Sequence, residues 1–394
     1  MLKGKTVLLG VSSSIAAYKM CNVARMLTKL GAEVHVSMTS NATNFVHPLT
    51  FETLTQNKCL IDTFDRNFQY SVEHVAIAKK ADVVLIAPAT ANVIGKIANG
   101  IADDMLTTTV MACTCKKIIS PAMNHNMYHN PIVQENIEKL RRFGYEIIEP
   151  VRGMLANRDT GDGKLPDEET LVEYIVHEIA LEKDLQGKKI LVTAGATREK
   201  IDPVRFISNR STGKMGFAIA RAAMLRGADV TVISAHTDVN PPMFVNVIDV
   251  ESAEDMFNAV KANMDSADII IKAAAVADYT PMTVSDSKIK KCDGDMSIAL
   301  KRTTDILKYI GENKKNQIVC GFSMETDNVI ENSRRKLESK NCDMICANSL
   351  KKDGAGFGTD TNIITMITRN GTEEIELMSK FDAANIILSK LKDF

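Results

Sequence analysis

The chain has 394 residues, 45% of them hydrophobic, with a formal net charge of −1 and an isoelectric point near 6.7. That length suits two or three domains, the even charge balance offers no footprint for nucleic acid or an anionic membrane, and no apolar run approaches the ~18 residues of a bilayer span. Its eight cysteines include no C-x-x-C pair and the N-terminal residues run straight into a strand, so a reduced, cytoplasmic protein is expected, not a zinc ribbon or a disulfide framework.

Residues 6–10 form an apolar strand, and residues 14–30 place Ile15, Ala16, Met20, Val23, Ala24, Leu27 and Leu30 at helical spacing before Gly31-Ala32. Residues 33–38 form the next strand, and Thr39-Ser40-Asn41 opens a helix at Ala42. Ser12, Ser13, Ser14, Thr39 and Ser40 thus occupy two strand-to-helix turns. One such turn reads as capping; two at neighbouring strand ends favour the phosphate of a mononucleotide. Neither GxGxxG nor a Walker A sequence is present, so NAD and P-loop chemistry have no support. Residues 81–87 (ADVVLIA) read as a strand buried on both faces, as in a parallel sheet. The small residues Pro88-Ala89-Thr90-Ala91-Asn92 after it allow a flat ring to approach the backbone. His74 lies upstream; a lone histidine is more often structural than catalytic. A strand at 117–120 runs into Pro121-Ala122-Met123-Asn124, where the asparagine is either a turn former or a reader of carboxylate and amide groups. A charged helix over 168–185 leads to a junction at 184–189.

Residues 188–234 then restart the pattern of residues 3–37: basic start, apolar run, small-residue loop, helix, Gly-Ala step, apolar run. The loop is longer in this copy and carries Arg198, Asp202, Arg205, Asn209, Arg210, Ser211 and Lys214. The fold expected is therefore α/β, with two tandem Rossmann-like domains over residues 1–188 and 189–394, each with its own site. Ala194-Gly195-Ala196-Thr197 reads as a triphosphate cradle. Asp278 follows the central strand at 269–273, where a carboxylate invites Mg²⁺ or a ribose hydroxyl. Lys288, Lys290 and Lys291 taken alone are a solvated run. Thr304-Asp305-Ile306-Leu307 caps a helix, residues 317–322 form a strand, and Arg334, Arg335, Lys336 and Lys340 recur at helical spacing, as on a solvent-facing surface. Cys342 and Cys346 flank a strand-like MICAN segment as small buried hydrophobes.

The stretch HVAIAKKADVVLIAPATANVIGKIANGIADDMLTTT, followed by PAMNHNMYHNP, resembles the flavin-containing cysteine decarboxylases. AGATREKIDPVRFISNRSTGKMG, AAAVADYTP with KIKK, and MICAN resemble the ligase domain of coenzyme A synthesis. End to end, the chain resembles the bifunctional phosphopantothenoylcysteine decarboxylase/phosphopantothenate–cysteine ligases. The resemblance implies a flavodoxin-like first domain and a nucleotide-binding second. For the first domain the resemblance implies FMN, with contacts at Ser13, Ser14, Thr39, Ser40, Thr90, Ala91, Asn92 and Ala112. It also implies flavin chemistry served by His74 and a substrate carboxylate read by Asn124. Thiol oxidation by the flavin supplies the electron sink that lets CO2 leave. For the second domain it implies CTP, Mg²⁺, 4′-phosphopantothenate and cysteine, joined through an acyl-cytidylate. Asn209 stabilises that intermediate and Lys288 the charge in the transfer. The nucleotide contacts implied are Gly195, Ala196, Asp278, Lys288, Thr304, Asp305, Ile306, Leu307, Phe322, Lys336 and Lys340, with Asp278 the metal ligand. Trimeric decarboxylase contacts and dimeric ligase contacts are implied as well.

Two departures stand out. Residues 151–166 match the family's substrate-covering loop, and Gly153, Gly161 and Gly163 suit a mobile lid. Where the family commonly has a cysteine as proton donor, this chain has Asn157, which cannot donate usefully at neutral pH. Asp159, Lys164, water or the flavin are the substitutes, and Arg158 suits a phosphate contact. Thr304 replaces a usual proline before Asp305 and can cap the same helix. Asn157 motivates the alternative of an active ligase with a degenerate flavin-binding first domain. A non-enzymatic flavoprotein regulator is disfavoured because His74 and Asn124 are kept and the acidic tail of such proteins is missing. A flavin prenyltransferase-like first domain is disfavoured by PAMN.

Overall fold

The structure, a computed structural model, describes residues 1–64, 73–154, 160–291, 295–325, 327–349, 356 and 358–394. Asn157, Arg158 and Asp159 lie outside the described residues. The chain divides into two compact units, residues 1–181 and 182–394.

The first unit alternates strands with helices: β1 (Thr6–Val11), α1 (Lys19–Lys29), β2 (Glu33–Met38), α2 (Pro48–Thr55), α3 (Glu73–Lys80), β3 (Val83–Ala89), α4 (Ala91–Ala98), α5 (Met105–Ala112), β4 (Lys116–Pro121), α6 (His125–Tyr128), α7 (Pro131–Arg142) and β5 (Glu146–Ile147). A hairpin, β6 (Val151–Met154) and β7 (Thr160–Lys164), and α8 (Glu168–Ile179) complete it. The five-stranded sheet runs β2-β1-β3-β4-β5, all parallel, which is the flavodoxin-like order. Every residue of β1 and β3 is buried, as helices on both faces require of an unbroken apolar run.

Three expected helices are shorter. Residues 15–18 form a single 3₁₀ turn before α1, with Ser14 Oγ accepting from Ala16 N–H at 3.3 Å. Residues 40–44 form another, and Pro48 starts the next helix instead. The helix expected over 168–185 stops at Ile179. Residues 182–188 belong to the second unit, so the division falls after Leu181, seven residues before the expected boundary. The cause is Arg226, 6% exposed: its guanidinium grips Asp184 at 2.7 and 2.8 Å and its carbonyl accepts from Leu185 N–H.

The second unit contains β8 (Lys189–Ala194), β9 (Arg198–Lys200), β10 (Phe206–Ser208), α9 (Lys214–Leu225), β11 (Asp229–Ser234), β12 (Asn246–Asp249), α10 (Ala253–Asn263), β13 (Ile269–Lys272), β14 (Tyr279–Pro281), β15 (Leu300–Arg302), α11 (Ile306–Asn313), β16 (Ile318–Glu325), α12 (Val329–Ser339), β17 (Met344–Ser349), β18 (Thr361–Thr368), β19 (Gly371–Ser379) and α13 (Lys380–Lys392). Its sheet runs β12-β11-β8-β13-β16-β17-β18-β19. The first six strands are parallel in the 3-2-1-4-5-6 order of a Rossmann sheet, and β18 and β19 extend it antiparallel. Cys346 in β17 and Cys342 just before that strand are fully buried. The strand order reverses between β1 and β3 in the first unit and between β8 and β13 in the second. Open α/β sheets bind ligands beyond the carboxyl ends of the strands at such points.

Candidate functional sites

In the first unit, Ser12 ties the two switch-point strands together. Its buried hydroxyl donates to Pro88 O at 2.7 Å and accepts from Thr90 N–H at 3.0 Å. That contact brings the Ser13-Ser14 turn beside Thr90, which caps α4, with Ala91 and Asn92 in its first turn. At the end of β2, Thr39 precedes the 3₁₀ turn begun by Ser40. The hydroxyls of Ser37, Thr39 and Ser120 are buried without a hydrogen-bond partner, at the carboxyl ends of β2 and β4. A buried unpartnered hydroxyl costs roughly 1–3 kcal/mol, so an oxygen-rich ligand placed there would relieve a standing penalty. These residues fit a flavin mononucleotide.

A cavity of about 410 Å³ opens between Ser14, Tyr18, Lys19, Asn124, Met154 and Lys164. Asn124 caps α6, its Oδ1 accepting from Asn126 N–H at 2.9 Å. The amide NH2 is therefore the end left for a ligand, a neutral donor suited to a carboxylate. The β6–β7 hairpin forms the opposite wall. Gly163, at φ +131°, presses against the α6 turn: Met123 N–H donates to its carbonyl at 3.0 Å, and a Cβ there would lie 2.3 Å from Met123 O. Asp162 fastens the same hairpin, its N–H donating to His125 Nδ1 at 3.1 Å and its carboxylate meeting His129 Nε2 at 3.0 Å. With Nδ1 of His125 taken by a backbone donor, this trio reads as a clasp.

Two expected residues stand apart. His74 is half-buried in the first turn of α3 and does not line the cavity. Ala112 is exposed at the end of α5 and does not line it either.

In the second unit two cavities meet at the switch point. One, of about 410 Å³, lies against Val276, Asp278, Thr304, Asp305, Ile306 and Leu307. The other, of about 340 Å³, is bounded by Asn209, Gly213, Lys214, Phe322, Asn348 and Lys380. Asp278, Lys272 and Lys336 line both. Asp305 is the N-cap of α11, accepting from Lys308 N–H at 2.9 Å, and Lys340 reaches its other oxygen at 2.5 Å. Thr304, expected as a possible cap, is exposed one residue earlier. Lys336 turns inward and donates to Phe322 O at 2.9 Å, while Arg334 and Arg335 stay exposed. Asn209 is held at the rim by a 3.2 Å bond to Ala275 O. A still larger cavity of about 540 Å³, by β9 and the β14–β15 hairpin, touches Thr304 and, from the polar loop, Arg198.

The expected triphosphate cradle is a correction. Gly195 and Ala196 line neither switch-point cavity. Ala196 N–H donates to His236 O at 2.9 Å and Thr197 N–H to Ala275 O at 3.3 Å, so the donors a phosphate would need knit strand ends together. Gly195 has φ +85°, and a Cβ there would lie 2.5 Å from His236 O. The start of α9 lies on the second cavity instead: Gly213 at φ +77°, without a side-chain cap, and Lys214 both line it. Lys288 is exposed outside both cavities, although Ile289 beside it is anchored by Asp202 and Arg205.

Comparison with known proteins follows this division. Residues 1–180 match the family model "Flavoprotein", and residues 185–394 match "DNA/pantothenate metabolism flavoprotein C-terminal domain". The coenzyme A biosynthesis bifunctional protein CoaBC of Bacillus subtilis is 49% identical over 99% of this chain and 97% of its own length. The chain belongs to that family. The Borreliella burgdorferi protein of the same name is 43% identical over 99% of this chain and all of its own. A crystal structure of the C-terminal domain of a CoaBC protein is 45% identical, covering 54% of this chain and 97% of that one, with a TM-score of 0.47. The first unit of this family member is a flavoprotein unit, and the whole is a bifunctional enzyme of coenzyme A biosynthesis.

Lys272, Lys380, Asn348 and the α9 start were not singled out as ligand groups from sequence. Asn348 is 7% exposed and its Oδ1 is buried without a partner on the second cavity. The signal available was its place at the end of the MICAN strand, the side on which such sheets bind.

Proposed function

We propose that the second unit joins 4′-phosphopantothenate to cysteine at the expense of CTP and that the first decarboxylates the product to 4′-phosphopantetheine. The observation that carries this reading is one chain, matched end to end by a bifunctional relative, with two separate switch-point sites of opposite chemistry.

In the first unit FMN is the cofactor, its phosphate at the Ser13-Ser14 and Thr39-Ser40 turns and its ring near Thr90-Ala91-Asn92. Bound flavin supplies a two-electron acceptor and donor for the substrate thiol. The chain's own task is to hold the carboxylate on the Asn124 amide. A neutral donor anchors it without locking its charge in place, as a lysine would. His74 and Asn124 do not line one cavity within a single copy, which supports a homo-oligomer whose decarboxylase site is completed by a neighbouring chain.

In the second unit the substrate carboxylate attacks the α-phosphate of CTP and expels pyrophosphate, and the cysteine amine then displaces CMP from the acyl-cytidylate. Asp278 borders both cavities and suits Mg²⁺ or the ribose; the metal would neutralise phosphate charge. Asp305, Ile306 and Leu307 bound the nucleoside, and Lys336 and Phe322 the phosphates. Asn209 faces the acyl group, and Lys288, exposed outside both cavities, is the cation for the charge in the transfer.

The test is purification of the full chain with its absorption spectrum and two assays. A yellow protein with releasable FMN, CTP-dependent phosphopantothenoylcysteine formation and CO2 release are expected. A protein that is colourless and cannot be reconstituted with FMN defeats the first half. Ligation at equal efficiency with ATP defeats the assignment of CTP.

A further inference from the structure

Lys272 is the last residue of β13, paired with Thr193 of β8 on one side and Gly321 of β16 on the other. It therefore stands at the carboxyl end of a central strand, at the switch point itself. Lysine is a poor choice for that position on folding grounds. The three residues before it are buried isoleucines; Lys272 itself is half-buried, its side chain running along the cavity wall, where a cation loses part of its hydration. Among the described residues no carboxylate comes within ion-pair distance of it; Nζ has only Ala274 O, at 3.3 Å. Burial first, and the charge of Lys336 second, push the ammonium down to about 8. Asp305 and Asp278 oppose that shift from further away and do not cancel it.

The two cavities say what would compensate. Asp278 and Val276 line both; the one against α11 adds Asp305, Arg302 and the apolar wall of Ile306 and Leu307, surroundings that suit a base and ribose. The other adds the start of α9, where no side chain caps the helix, Lys214, ion-paired to Asp360 at 2.6 Å, and Lys380, bonded to Gly356 O at 3.1 Å, a more cationic wall that suits anions. A nucleotide laid across them passes from nucleoside to phosphates at their shared wall, where Lys272 and Lys336 stand. The first phosphate met there is the α-phosphate.

We propose that Lys272 contacts the α-phosphate of the bound nucleotide and stabilises the charge that builds on it as the acyl-nucleotide forms. The inference rests on the ligase reading above. In the step, a carboxylate oxygen bonds to the α-phosphorus while the bond from that phosphorus to its bridging oxygen breaks. The electron pair leaves on pyrophosphate, and no proton or redox partner is needed. A fixed ammonium against a non-bridging oxygen gains most in the pentacoordinate state, so its effect falls on turnover more than on nucleotide affinity. Lys336, tethered to Phe322 O, is the second cation at the same place.

The test is single-turnover formation of the acyl-cytidylate from 4′-phosphopantothenate and CTP without cysteine, in the full chain. CTP dissociation constants are measured alongside, and thermal melting confirms folding. Lys272→Met should slow acyl-cytidylate formation at least ~10²-fold, with CTP affinity changed less than about fivefold. Lys272→Arg, which keeps the charge, should recover at least ~10-fold of the loss. Lys272→Gln, still able to donate to Ala274 O, should behave like the Met variant; if Met fails to fold, Gln carries the test. If the wild type forms no acyl-cytidylate, the ligase reading falls and this inference with it. If the wild type forms it and the Met or Gln variant does so at the same rate, the inference alone is wrong. A defect confined to CTP affinity, or one that Arg leaves unrelieved, also overturns it.

Discussion

The two switch points solve one geometric problem with different chemistry. In the first unit the ends of β1, β2, β3 and β4 present hydroxyls: Ser12 as a tie, Thr90 as a cap, Ser37, Thr39 and Ser120 unpartnered. In the second, the cavity there is lined by Lys272 at the end of β13, Lys336 of α12, and Lys214 and Lys380 at the starts of α9 and α13. Hydroxyls and backbone donors suffice for one phosphate that stays bound and does not react. Lysines are needed where a triphosphate arrives, breaks and leaves, because the charge to be stabilised changes during turnover. On the proposed function, the same strand-loop-helix restart serves a resident cofactor in one copy and a substrate in the other.

The largest effect expected from breaking this comparison is at Asn124. Asn124→Asp keeps a good helix cap but sets a carboxylate against a carboxylate. CO2 release should fall by at least ~10²-fold while CTP-dependent ligation is unchanged, so phosphopantothenoylcysteine accumulates. Parallel loss of both activities would mean the two sites are not separate.

Next comes Asp184, which joins residues 182–188 to the second unit. Asp184→Asn leaves the guanidinium of Arg226, 6% exposed, without its anion and should cost roughly 3 kcal/mol. The bond to Arg226, with Lys392 in support, holds the Asp184 carboxyl well below the usual carboxylate range. A group lowered in the folded state stabilises fully above its unfolded value near ~4 and loses that contribution as pH falls below it. The melting temperature of the second unit should therefore drop on acidification from pH 5 towards pH 3 more steeply in wild type than in Asp184→Asn. Equal slopes would remove the pair from the stability of that unit.

A smaller effect belongs to Ser12. Ser12→Ala strands Thr90 N–H in the buried end of the sheet and leaves Pro88 O only the Ser12 backbone N–H at 3.3 Å, a loss of roughly 1–3 kcal/mol. The first unit should melt earlier and release FMN more readily, with ligation untouched. Unaltered flavin retention would separate the Ser12 tie from the cofactor site. Asn157 sharpens the same comparison from the lid. Asn157→Cys should speed product formation or leave it unchanged, and Asn157→Ala should cost little. Rescue of an otherwise inactive wild type by Asn157→Cys would make the first unit a degenerate decarboxylase.

Much of the fold was legible because parallel strands covered on both faces leave unbroken apolar runs, as in residues 81–87. The small hairpins escaped notice: REK, FIS and LKR carry no alternation, and only their partners make them strands. The hydroxyl turns were legible because they are local. The triphosphate cradle at Gly195 was misread because small residues after a strand signal a turn, but not where its N–H groups go, and those bonds come from His236 and Ala275. Lys272 was passed over for a related reason: in IIIKAAAV it reads as one charge inside a strand, and only the sheet order places it at the switch point.

The central claim is that two independent sites on one chain act in sequence, and one measurement addresses it most directly. The full chain is given 4′-phosphopantothenate, CTP and cysteine labelled in its carboxyl carbon, and labelled CO2 is followed beside CMP. The account predicts CO2 release that requires CTP and approaches one equivalent per CMP, in a yellow protein whose Asn124→Asp variant yields CMP without CO2. CMP without CO2 from the wild type, or CO2 that appears without CTP, would contradict it.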